Sequence, residues 1–89
     1  MIVVWTEYMK YKAKLRGFDL AKIENIVKSS AERYSDTTTG RRVAVGHHGN
    51  KLVIIPYEAD DNSITPVTIH VTTRQQVDIR IRTGRFIHE

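Results

Sequence analysis

The chain of 89 residues contains no cysteine. That single absence removes disulfides, cysteine zinc sites and thiol nucleophiles together. Long hydrophobic runs are missing too. The N-terminal "MIVVW" gives way to polar residues at Thr6, far too short for a signal peptide or a membrane span. A cytoplasmic protein with no membrane partner is expected. Acid is the scarcer sign of charge, with 10 Asp and Glu against 14 Lys and Arg, a net charge of +4 and a pI near 9.6. This balance tilts towards polyanions, because counterion release rewards each phosphate neutralised by Lys or Arg. Four histidines are present, but none shows metal-site spacing, so neither a metal nor another cofactor is expected. There is no repeat, linker or low-complexity tract. A single domain over residues 1–89 is expected, ordinary in its 40% hydrophobic and 27% charged content.

The periodicity divides the chain in two. Ile2-Val3-Val4-Trp5 suits a short strand or an apolar plug. Thr6 and Glu7 form a helix start, and Tyr8, Tyr11 and Leu15 recur at helical spacing before Gly17. This predicts a helix over 7–16 with the Tyr8/Tyr11/Leu15 stripe in the core. Asp19 caps a second helix over 20–30, in which Phe18 can staple against Ile23, and Leu20, Ile23, Ile26 and Val27 share a face. The connection is short, so the two helices should be antiparallel or steeply crossed.

After Tyr34 the pattern alternates. "RRVAV" and "KLVIIPYE" flank the hairpin connection "GHHGN", and "ITPVTIHVTT" follows the polar turn "EADDNS". An antiparallel meander with strands near 41–46, 51–58 and 65–72 is expected, with Pro56 and Pro66 towards strand ends. Beyond Thr73 two readings stand. Val77, Ile79 and Ile81 alternate as in a strand. Thr73-x-x-Gln76 has the form of a capping box, and Arg74, Asp78 and Arg82 make a helical charge ladder ended by Gly84.

Two stretches, "VWTEYMKYKAKLRGFDLAKIENIV" and "PVTIHVTTRQQ", carry a resemblance to the BrnT-like ribonuclease toxins of the wider RelE-like group. The resemblance implies an α+β fold: two N-terminal helices on an antiparallel sheet of three to four strands, with a short C-terminal helix after Thr73. It also implies a metal-independent endoribonuclease of a toxin–antitoxin pair, acting on RNA and restrained by a cognate antitoxin protein. Only Arg74 of Thr72-Thr73-Arg74 matches the Ser-Ala-Arg often found in the family. Tyr8 and Tyr11 stand where relatives often carry histidine.

Metal-free RNA cleavage lets the 2′-hydroxyl attack its own phosphate, so it needs a base, a cation at the phosphorane and an acid. His70 is the acid–base candidate: if Val67, Ile69 and Val71 face the helices, it projects from the opposite side with Thr68 and Thr72. Its plainer role is a hydrogen-bonded β-face histidine. Arg74, opening a helix, is the candidate phosphate ligand, or else an ion-pair partner of Asp78. Arg80, Arg82 and Arg85 are candidate RNA-binding residues that supply background charge. His47 and His48 are expected at a hairpin tip, touching backbone phosphate or solvent. Tyr57 either stacks on a base or packs into the core. The alternative function is a non-catalytic nucleic-acid- or protein-binding module of the same fold. A third reading is a homo-oligomer formed through a sheet edge.

Overall fold

In the computed structural model, which describes residues 1–89, the chain runs β1 (Ile2–Val3), α1 (Glu7–Arg16), α2 (Leu20–Ser29), β2 (Arg33–Asp36), β3 (Arg42–His48), β4 (Lys51–Ala59), β5 (Ser63–Pro66), β6 (His70–Thr72), α3 (Arg74–Arg82) and β7 (Phe86–His88). The seven strands form one sheet in the order β1-β5-β4-β3-β2-β7, with β6 beside the other half of β4's edge. All pairings are antiparallel except the parallel contact of β1 with β5. The α+β class is as expected, but the sheet is mixed and larger than the three to four strands foreseen. The additions are short. β2 and β7 pair with each other, Tyr34 opposite His88, and extend one edge of the meander.

Local chemistry sets the helix ends. Thr6 Oγ1 accepts the Met9 N–H at 3.0 Å, and Gly17 closes α1 in the left-handed region at φ 74°. Asp19 Oδ1 accepts the Ala21 N–H at 2.8 Å to start α2. Thr73 Oγ1 accepts the Gln76 N–H at 3.1 Å, so the residues beyond it form a helix and not a strand. The Gln76 side chain does not close a capping box. It contacts Thr72 Oγ1 at 3.0 Å instead.

Two cores lie on opposite faces of the sheet. Met9, Ala13, Phe18, Ile23, Ile26 and Val27 of the N-terminal segment meet Val53, Ile55, Ile64 and Ile69 on one face. On the other, Val77 of α3 meets Tyr34, Val43, Val45, Ile54 and Phe86. The expected core stripe of α1 is corrected here. Tyr8, Tyr11 and Leu15 are 55%, 61% and 63% exposed, while the i, i+4 pair Met9 and Ala13 is buried. Met9 and Ala13 are the side chains that α1 turns inward, while both exposed tyrosines leave their hydroxyls in water, where they need no buried partner.

The expected strand 65–72 is interrupted. Tyr57 pairs with Pro66, but Ile54 pairs with His70, so three residues (67–69) oppose two (55–56). One residue is therefore extra, a β-bulge. It shifts the alternation so that Ile64 and Pro66 before it and Ile69 after it all reach the α1/α2 face. His70, opposite Ile54, is turned to the α3 face. Pro56, expected near a strand end, lies well inside β4. Its carbonyl accepts the Val67 N–H at 2.8 Å, so its missing N–H also points to the bulged side, where the ladder is already broken.

Gly46 of β3 lies under α2. A Cβ there would stand 2.9 Å from Ile26 Cγ2 and 3.3 Å from Cγ1, both rooted on a branched carbon that cannot swing away freely. Gly46→Ala should therefore cost about 1–3 kcal/mol of stability. Urea unfolding is the measurement, and an unchanged midpoint would show that α2 moves aside without cost.

Candidate nucleic-acid interface

The α3 face of the sheet is only partly covered. Between α3, the bulged edge and the turn after β2 lies a cleft of about 410 Å³, with Arg41, His70, Arg80 and Arg85 in its walls. These basic residues come from four separate segments. Arg80 projects from the last turn of α3 with its guanidinium 5.5 Å from the centre of the Phe86 ring. None of the chain's ion pairs involves it. Arg85 follows the left-handed Gly84, at φ 80°, and reaches the buried carboxylate of Asp36 with two hydrogen bonds of 3.2 Å. Arg41 is exposed and makes a loose 3.5 Å contact with Glu58.

His70 lies at the cleft's edge. The Arg16 guanidinium at the end of α1 donates to the Ile69 carbonyl at 2.6 Å and to His70 Nδ1 at 3.2 Å. Arginine is always a donor, so Nδ1 is the acceptor and the neutral ring carries its proton on Nε2. Partial burial holds the His70 pKa below its ordinary value of 6.5, and the charges of Arg16, Lys12 and Arg80 push it the same way. His70 is thus a neutral ring surrounded by three cations.

The other sequence candidates scatter. Arg74 lies outside the cleft, and its partner is Glu32 instead of Asp78. Nη1 and Nη2 reach the two Glu32 oxygens at 2.6 and 3.0 Å, a fork that ties α3 to the segment before β2. Tyr34 donates to the same carboxylate at 2.6 Å. Partial burial works to raise the Glu32 pKa, but the bonds from Arg74 and Tyr34 outweigh it and the pKa falls. Burial and the Glu32 carboxylate push the Tyr34 phenol up to about 12.

Arg82 is exposed on α3, away from the cleft. His47 is exposed on β3. Its neighbour His48 accepts the Asp19 N–H on Nε2 at 2.9 Å and packs edge-on against Phe18, so it joins the hairpin to the start of α2. Tyr57 is 3% exposed and offers no ring face to a base. Its hydroxyl meets Arg33 at 3.1 Å, and Arg33 in turn donates to the Ser30 and Val27 carbonyls at the C-terminal end of α2. Of the residues foreseen, the fold thus brings together His70, Arg80 and Arg85 alone.

Arg16 and Arg41 were missed. Arg16 reads as an ordinary helix-ending cation, and its separation of 54 positions from His70 leaves no local trace of their contact. No helix is long and apolar enough to cross a membrane, and no three His, Cys, Asp or Glu side chains cluster as a metal site would need. No known family model matches the chain, and no curated protein or solved structure does.

The Asp36–Arg85 pair yields a stability prediction. Burial acts to raise the Asp36 pKa, yet the bonds from Arg85 and the Thr38 N–H more than offset it, leaving it below the ordinary 3.8. A depressed carboxyl adds stability that is present above 3.8 and is lost as pH falls through the lower folded value. Arg85→Ala leaves the carboxylate buried with fewer partners and should cost about 1–3 kcal/mol at neutral pH. Its acid unfolding should begin at higher pH than that of the wild type. Circular dichroism against pH measures this, and coincident acid transitions would refute the role given to the pair.

Proposed function

We propose that the protein is a nucleic-acid-binding module that holds RNA phosphates in the cleft between α3 and the sheet. One observation carries this reading: Arg41, His70 and the near neighbours Arg80 and Arg85, from three distant parts of the chain, share one concave wall, and Arg80 there has no acidic partner. An unpaired guanidinium in a groove is suited to bidentate phosphate binding. Salt should weaken RNA binding steeply, and Arg80→Ala should lower affinity and reduce the salt slope by about one. Fluorescence anisotropy at a series of salt concentrations tests both. Binding that ignores salt would remove the polyanion reading.

A toxin-like endoribonuclease is the second reading, and His70 in the cationic cleft favours it. With Nδ1 engaged by Arg16, the neutral ring presents Nε2–H as a hydrogen-bond donor to a phosphate oxygen, whereas acting as the acid would need the imidazolium that Arg16, Lys12 and Arg80 disfavour. The base must then come from elsewhere, and Arg74, bound to Glu32 outside the cleft, is not poised beside it. Binding is therefore the better-supported function.

If cleavage occurs, His70→Ala should slow it by about tenfold or more, with Arg74→Lys affecting it less. Gel analysis of RNA incubated with the purified chain, alone and with translating ribosomes, provides the measurement. An inactive wild type in both settings would eliminate the enzyme. RNA affinity should rise as pH falls towards the depressed pKa of free His70, because a bound phosphate favours the protonated ring and raises that pKa.

A further inference from the structure

The cleft does not end at His70. Arg16, which reaches His70 Nδ1, belongs to α1, and so does Lys12, whose charge is felt at the same ring. Next to these two cations around the helix come Tyr8, Leu15 and Tyr11, the stripe that the core leaves in solvent at 55%, 63% and 61% exposure. Lys12 Nζ lies 5.5 Å from the centre of the Tyr8 ring. A row of cations thus passes from the cleft, by way of His70, onto a helix face that bears two open aromatic rings.

We infer that this face of α1 is a stacking platform for the bases of single-stranded RNA whose phosphates enter the cleft. The proposal rests on the RNA-binding reading and adds to it the kind of nucleic acid and a second set of contacts. Aromatic rings beside a basic track are how single strands are held without sequence readout, because every base has a π-face to offer. A duplex keeps its bases stacked inside and gains nothing from exposed tyrosines. Charge argues against a second copy as the occupant. Lys10 is paired with Glu7 at 2.8 Å, but Lys12, Lys14 and Arg16 share this helix with the apolar stripe and have no acidic partner, so two such faces would bring like charges together, whereas a phosphodiester chain neutralises them. Tyr8 and Tyr11 are three residues apart, so they are neighbours on the helix surface. Each can meet one base while Lys12 and Arg16 meet the phosphates between the bases and the cleft.

The test uses the full chain and three fluorescent probes of equal length: an oligouridylate of about eight nucleotides, a baseless phosphodiester oligomer and an RNA duplex. Tyr8→Ala/Tyr11→Ala should weaken binding to oligouridylate about tenfold or more and leave the baseless oligomer unaffected. Tyr8→Phe/Tyr11→Phe should restore the affinity, since stacking needs the ring and not the hydroxyl. Arg80→Ala should weaken binding to both single-stranded probes. Both tyrosines are exposed, so the variants should keep the wild-type circular dichroism spectrum.

The platform is overturned if the alanine pair binds oligouridylate like the wild type while Arg80→Ala does not, an outcome that leaves the cleft reading standing. Equal loss on the baseless oligomer, or wild-type binding to duplex as tight as to the single strand, also overturns it. A wild type that binds no probe at low salt removes the cleft and the platform together.

Discussion

A strand that is apolar on both faces must be covered on both faces, and β4 is such a strand. Val53 and Ile55 turn one way and Ile54 the other, and all three are buried. In a small chain with no disulfide, leaving either side open would expose much of the limited apolar surface that holds the fold together. The N-terminal pair α1 and α2 covers one side. The opposite side has only α3, which buries Val77 fully and Ile81 in part. Nine residues of helix cannot span the sheet, and the uncovered remainder is the floor of the cleft. The proposed binding site thus follows from unequal cover on the two sides of one strand.

The bulge opposite β4 is what makes this arrangement compatible with the sequence. Without the extra residue, Ile69 would turn away from α1 and α2 and His70 would turn towards them. With it, Ile69 is completely buried in the larger core and His70 stands at the rim of the cleft. The same residue ends the pairing of β5 and lets Arg16 reach the Ile69 carbonyl from α1. Backbone register, helix docking and the charge environment of His70 are therefore coupled at one point.

Net charge gives little guide to where a polyanion would bind, because the arginines have different duties. Arg33 satisfies carbonyls at the end of α2, Arg74 is bound to Glu32, and Arg85 stabilises the buried Asp36. Each holds parts of the fold together through these bonds, so only the remaining N–H groups of its guanidinium are free for a phosphate. Arg80 stands against an aromatic ring with no acid to release. Availability distinguishes it from the others.

Much of the architecture was legible in the sequence, because it depends on neighbours within a few positions. Thr6, Asp19 and Thr73 each accept an N–H two or three residues on, and Gly17 ends α1 through its own backbone freedom. The hairpin of β3 and β4 is as local. The buried stripe of α1 was read wrongly, since spacing identifies a face but not what lies opposite it. β2 and the edge strand β7 are too short to show a period, and they meet only after the chain has closed on itself. The site was the least legible part. His70 could be singled out by its chemistry, but its tautomer is set by Arg16 and its surroundings by Lys12 and Arg80, which lie on two helices packed on opposite faces of the sheet. Sequence alone determined where the three helices and the β3–β4 hairpin begin, because capping and turn chemistry act over single turns. Which charges meet, and which remain free, was decided only when the sheet brought distant segments within a few ångströms of one another.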